Sequence, residues 1–388
     1  MTVSPPKPMR LPSLTGLRCV LAILVFLCHA LETARLYADD RLNHLGVILP
    51  YGISSLSCFF ILSGFALTWS AAPGDTPALF WRRRVVKIFP NHILTWALTL
   101  ALLGIVFGPL PMLGPPPDAG PALANLALVQ TWIPVPSYLL SVNGISWSVS
   151  CELFFYLLFP LLIGPLRRIA ANRLWWCFGA TAAAIALLPA LIDAAISAPA
   201  WPLWPPFSFT ETWLVYFFPV VRMPEFLLGV LLALIVQADR WPPVRMSWVA
   251  GATVLFWLIT LALPPIYGRS GFLAIPLALL IPVLATRDLR GETGWLQNRT
   301  VVALGEASYA MYLLHYPVMA VTRHLLGPDR YFGVVEGTLV IVAMFVICQL
   351  LAIALFRCVE DPLVRRFSRP ARGRAPRGPE QAEGPPRG

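Results

Sequence analysis

LTGLRCVLAILVFLCHALE, residues 14–32, decides how the rest of the chain is read. At about 1.5 Å of helical rise per residue it is long enough to cross a hydrocarbon core of about 30 Å, and before Glu32 its only ionisable groups besides Cys19 and Cys28 are Arg18 and His29. Nine further apolar runs follow, near 51–72, 88–108, 146–164, 174–192, 213–236, 247–264, 271–286, 301–321 and 333–356. The expectation is an all-α, polytopic integral membrane protein of about ten transmembrane helices. Residues 1–13 are the leading segment, 14–356 the membrane domain and 357–388 a tail, disordered from about 368.

Composition agrees. Of 388 residues, 57% are hydrophobic and 12% charged, against roughly 45–50% and 25% in soluble domains. Mean hydropathy is +0.71. This excludes a soluble enzyme. It also excludes a nucleic-acid-binding protein, because the 29 basic residues are scattered between apolar runs and line no single wettable face. Residues 365–388 hold seven Arg and two Glu, half of the net charge of +10, in a Pro- and Gly-rich context suited to a solvated tail drawn to anionic headgroups. Seven cysteines with no CxxC pair suggest neither a disulfide framework nor a thiolate metal site. Five dispersed histidines without an HExxH spacing suggest no other metal.

The stretch 120–140 is apolar but is cut by Pro134 and Pro136, and reads as a re-entrant or interfacial segment. With ten spans and the N-terminus inside, the inner segments carry Lys7, Arg10, Arg82, Arg83, Arg84, Lys87, Arg167, Arg168, Arg173, Arg240, Arg245, Arg287, Arg290 and Arg299, fourteen in all. The outer segments carry five, Arg35, Arg41, Arg269, Arg323 and Arg330. The asymmetry places both termini in the cytoplasm. Residues 1–34 also have the outline of a signal peptide, but an h-region rarely holds both an Arg and a His.

Ionisable groups within spans are costly, so each is a candidate functional residue. Eleven steps of about 100° separate Arg18 from His29 and leave a remainder of about 20°, which puts both on one face about 16 Å apart. The bland alternative is an Arg that reaches the headgroups and a packed His. Ser63 and Gly64 in SCFFILSGFALTW allow close approach of a backbone or a ligand. Arg83, Arg84 and Lys87, in the loop FWRRRVVKIFPNH, form either a topogenic anchor or an anion clamp. Ser148, Glu152 and Tyr156 make one polar stripe at i, i+4, i+8, where a buried carboxylate needs a cation or a proton. Arg222 and Glu225 read as a structural ion pair. Ser308, Tyr312 and His315, with Tyr309 beside them, suggest a lined cavity. There is no Walker A loop, dinucleotide fingerprint or GxSxG elbow.

The order of these segments resembles the membrane acyltransferase 3 family, the bacterial O-acyltransferases. The resemblance covers residues 11 to about 367. It rests on Arg18 and His29, FFILSGF at 59–65, Arg83 to Pro90, WSVSCELFFYLLFP at 147–160, RMPEFLLG at 222–229, LGEASYAMYLLHYP at 304–317 and VEDPLVRRF at 359–367. It implies transfer of an acyl group, usually acetyl, from cytosolic acyl-CoA to a hydroxyl of an extracytoplasmic or lipid-linked sugar, in the bacterial inner membrane. A longer acyl group on a macrolide-type sugar is the rival within the family. Two departures stand out: Lys87 replaces an Arg of the family's RRxxR, and Asn91-His92 follows Pro90 where Pro-x-Tyr is usual.

The expected assignment makes His29 the general base and Glu152 the group that orients it. Arg18, Arg83, Arg84 and Lys87 hold the donor's phosphates, while Ser63, Ser148, Tyr309, Tyr312 and His315 line the substrate passage. A transporter or flippase, with acceptor traffic and no ester formed, is the competing class, and a non-catalytic scaffold the third.

Overall fold

A backbone surrounded by lipid must satisfy its hydrogen bonds within its own segment, which makes helix the default for each apolar run. The computed structural model describes residues 11–45, 51–71, 75–196, 198–202 and 206–367, and among these there are isolated bridges but no β-strand. Residues 1–10 and most of the basic tail, 368–388, lie outside the described residues.

Ten helices make the body. They are α1 (Pro12–Cys28), α2 (Tyr51–Ser70), α3 (Pro77–Ala101), α4 (Trp147–Arg167), α5 (Leu174–Ala195), α6 (Pro219–Gln237), α7 (Met246–Ala262), α8 (Leu280–Leu289), α9 (Ser308–Leu326) and α10 (Val334–Leu355). Eight of the described helical segments are long and apolar enough to cross a membrane; α7 is shorter, and the polar stripe of α9 lowers its hydropathy. The stretch 120–140 forms only short helical turns, Ala119–Leu126, Gln130–Trp132 and Pro136–Leu139. They dock on α3 through bonds from His92 and Trp96 to the carbonyls of Asn125 and Ala122.

Two boundaries differ from expectation. The arginine cluster lies inside α3, not in a loop before it: Thr76 Oγ1 accepts from the Leu79 N–H at 3.3 Å, Pro77 opens the first turn, and Arg is a good helix former where the helix leaves the hydrocarbon. At the other end, helix continues past α10 through Phe356–Glu360 and Asp361–Phe367, and Glu360 is wholly buried.

The centre of the bundle is α2 and α6, each with 72% of its most apolar window buried, against 11% for α5 at the rim. Small residues bring them together. A methyl group on Gly64 would sit 2.0 Å from the Phe226 carbonyl oxygen, and one on Gly229 would sit 1.8 Å from that of Ile61, so neither position tolerates a side chain. The expected Arg222–Glu225 pair forms beside this crossing at 3.0 Å, with Arg222 also donating to Ser57 Oγ at 2.8 Å. Both side chains are at most 3% exposed, and their charges cancel locally in a medium that tolerates neither alone.

Candidate active site

α1 carries two of the expected residues to two different neighbourhoods. Arg18 lines a pocket with Phe59 and Phe60 of α2, Ser148 and Glu152 of α4, and Ser308, Tyr309 and Tyr312 of α9. Glu152 faces the cations Arg18, Arg84 and Lys87, with the Tyr156 hydroxyl beside it. Tyr156 in turn meets Ser63 Oγ at 3.0 Å. Thus Arg18, Ser148, Glu152, Tyr309 and Tyr312 share one pocket, and Ser63 stands behind it.

Three helical turns beyond Arg18, just past the end of α1, His29 meets His315 of α9. Their rings are 5.1 Å apart, and His29 Nδ1 lies 3.3 Å from His315 Nε2. His29 also opens a π-helical turn, His29–Thr33, an irregularity common at functional positions. The hydrogen bonds assign the tautomers. His315 Nδ1–H donates to the Tyr312 carbonyl at 2.5 Å, so its Nε2 is an acceptor. His29 Nδ1–H donates to the Val25 carbonyl at 3.0 Å and also points to that acceptor. The lone pair of His29 is therefore on Nε2.

Glu152 makes no hydrogen bond or ion pair with His29. The side chain within hydrogen-bond distance of His29 is that of His315, a residue the sequence places in the passage lining. The pocket's lining includes Tyr312 and Arg18 but not His29. Tyr312 is the divider: its hydroxyl bridges Ser148 Oγ at 2.7 Å and the Ile145 carbonyl at 2.8 Å, and its ring centroid is 5.6 Å from that of His315.

The basic cluster also splits. Arg83 is bound to Asp75 at 2.5 Å, and Lys87 to Glu360, which accepts from Asn91 as well. Arg84 instead lies over the rings of Phe80 and Tyr156, and neither it nor Arg18 has a hydrogen-bond partner for its Nε among the described residues. Asp75 is absent from the sequence reading, and Asn91 and Glu360 stand in it only as parts of motifs, not as partners of the basic cluster. The available signal was charge balance, since a buried lysine requires a counter-charge somewhere in the chain.

The bundle thus holds cations at one level and a pair of imidazoles about 16 Å further along. The chain belongs to the acyltransferase 3 family: the family model, described as an acyltransferase domain, matches residues 11–353. It is 35% identical over 377 residues to the acyltransferase MdmB of Streptomyces mycarofaciens, covering 94% of each chain. It is 24% identical to the O-acetyltransferase OatA of Staphylococcus aureus and 23% identical to the peptidoglycan O-acetyltransferase OatA of Listeria monocytogenes, spanning 58% and 55% of those longer proteins. No solved structure matches. The protein is an acyltransferase with a polytopic helical membrane fold.

Proposed function

We propose that the protein transfers an acyl group, acetyl by default, from cytosolic acyl-CoA to a hydroxyl of an extracytoplasmic or lipid-linked sugar, in the bacterial inner membrane with both termini cytoplasmic. The observation that carries this reading is the His29–His315 pair above the Arg18 pocket. A neutral imidazole with its lone pair on Nε2, held by a neighbour at Nδ1, is a general base, the role expected for the group that deprotonates an alcohol.

His29 Nε2 takes the acceptor's hydroxyl proton as that oxygen attacks the thioester carbonyl. The new C–O bond forms, the C–S bond breaks, and the imidazolium returns the proton to the departing thiolate. Arg18 and Arg84 hold donor phosphates, and Glu152 keeps those two cations in register while the pocket is empty of donor. The pantetheine arm follows the pocket toward Tyr312, whose side chain swings off its tether to Ser148 to admit the thioester. Arg83 and Lys87, expected in the same clamp, serve instead through Asp75 and Glu360 to anchor the N-terminal half of α3.

The test is NMR detection of O-acyl signals on glycans from cells with and without the protein, with His29→Ala as control. Ester signals that depend on His29 support transfer. Ester signals unchanged by deletion, with altered export of the acceptor, support the transporter.

A further inference from the structure

A second system of clefts runs along the other side of α1. At the rim where α1 begins and α8 ends, joined by Ser13 and Asp288, Arg245, Arg287 and Arg290 surround a recess that also contains Trp241 and Glu292. Glu292 is bound to Arg287 at 2.9 Å and reaches Arg290 at 3.8 Å, while the Arg245 side chain has no partner among the described residues. Three guanidiniums against one carboxylate leave a net positive recess. It shares Met246, Arg287 and Glu292 with a neighbouring cleft, which shares Leu17, Val20 and Leu280 with an apolar cavity of about 510 Å³. The cavity lies between α1, α7 and residues 273–281, and Val249 is the buried residue of α7.

We propose that this continuous cleft seats one anionic phospholipid of the same leaflet, its phosphate among Arg245, Arg287 and Arg290 and its chains in the apolar cavity. Depth fits. From Arg287 back to Leu280 within α8 is about 10 Å of helical rise, and the cavity wall continues past the helix break at Leu279 to Leu277 and Leu273, reaching the depth of one leaflet's hydrocarbon, about 15 Å. Charge fits, since the recess supplies more positive charge than its single carboxylate neutralises, and guanidiniums at the membrane surface draw anionic headgroups. Trp248 and Trp295, both exposed, flank the rim where aromatic side chains mark the interface. The donor pocket is distinct: Leu17 precedes Arg18 by one step of about 100°, with Leu21 and Leu24 continuing Leu17's face, so lipid and donor occupy different sides of α1. The seated lipid fills the gap that would otherwise separate α7 from the bundle.

The experiment measures phospholipid retained by the full-length protein purified in mild detergent, using mass spectrometry of the extract, and thermal unfolding in mixed micelles. The variants are Arg245→Gln with Arg290→Gln, which keeps the Arg287–Glu292 pair, and Leu277→Trp, which fills the apolar arm. The expected result is about one retained phosphatidylglycerol per chain, reduced at least roughly fivefold by either change. The wild type should also melt at a higher temperature with phosphatidylglycerol than with phosphatidylcholine. Equal retention in all three proteins, or equal stabilisation by both lipids, would overturn the proposal. Displacement of the lipid by inorganic phosphate or coenzyme A at micromolar concentration would also overturn it, by assigning the recess to a soluble phosphate.

Discussion

Glu360, in the turn that follows α10, accepts hydrogen bonds from both Lys87 and Asn91 of α3. The contact spans most of the chain and ties the residues beyond the expected membrane domain to the helix that carries the arginine cluster. It also changes what Lys87 is for. A cation already committed to a wholly buried carboxylate is poorly placed to grip an exchanging ligand.

Removing one side of this pair should therefore harm the fold before it harms donor affinity. Glu360→Ala removes the hydrogen-bonded partner of Lys87 and Asn91 and should cost about 1–3 kcal/mol of stability, read as a lowered unfolding temperature in detergent. The double change Lys87→Met with Glu360→Leu should recover most of that loss. An unchanged melting temperature in Glu360→Ala would show the pair to be incidental.

Arg84 and Arg83 should separate in kinetics. Arg84→Gln removes a guanidinium that faces the Glu152 pocket and should raise KM for acyl-CoA about tenfold or more, the equivalent of a lost charge-assisted hydrogen bond. Arg83→Gln, whose partner is Asp75, should leave KM within about twofold. The reverse order would return Arg83 to the donor clamp.

His315 acts through His29, so its loss should fall on kcat. His315→Ala should lower kcat by about 10²-fold with KM for acyl-CoA little changed. His315→Gln, which keeps an acceptor near His29 Nδ1, should restore part of that loss. A rise in KM without a fall in kcat would make His315 a wall of the acceptor site.

Much of the architecture is legible because span length and hydropathy are dictated by the bilayer itself; in 120–140 the prolines break the run, and counting it as a span would put Arg167, Arg168 and Arg173 outside. The start of α3 was not legible: a run of arginines looks like a loop when the only question asked is what lipid tolerates, yet Thr76 and Pro77 begin the helix there. Periodicity put Ser148, Glu152 and Tyr156 on one face and Ser308, Tyr312 and His315 on another, and those faces do meet. It could not say which helix stands beside His29. That depends on the packing order of the bundle, and so Glu152 was matched to the histidine when Arg18 is its neighbour.

The crossing of α2 and α6 positions Phe59 and Phe60 in the pocket wall, so its glycines should be intolerant of substitution. Gly229→Val should cost at least about 1–3 kcal/mol and lower the yield of folded protein in detergent, because the Ile61 carbonyl occupies the space a side chain needs. A variant as stable as the parent would mean the helices can separate without consequence.

The central claim is that His29, held by His315, removes the acceptor's proton. The most direct measurement is transfer of radiolabelled acetyl from acetyl-CoA to a glycan acceptor by purified protein in proteoliposomes, for the parent and for His29→Ala. The parent should form the ester and the variant should lose about 10²–10⁴-fold of that activity, with both proteins melting alike. Ester formation undiminished in a folded His29→Ala protein would contradict it.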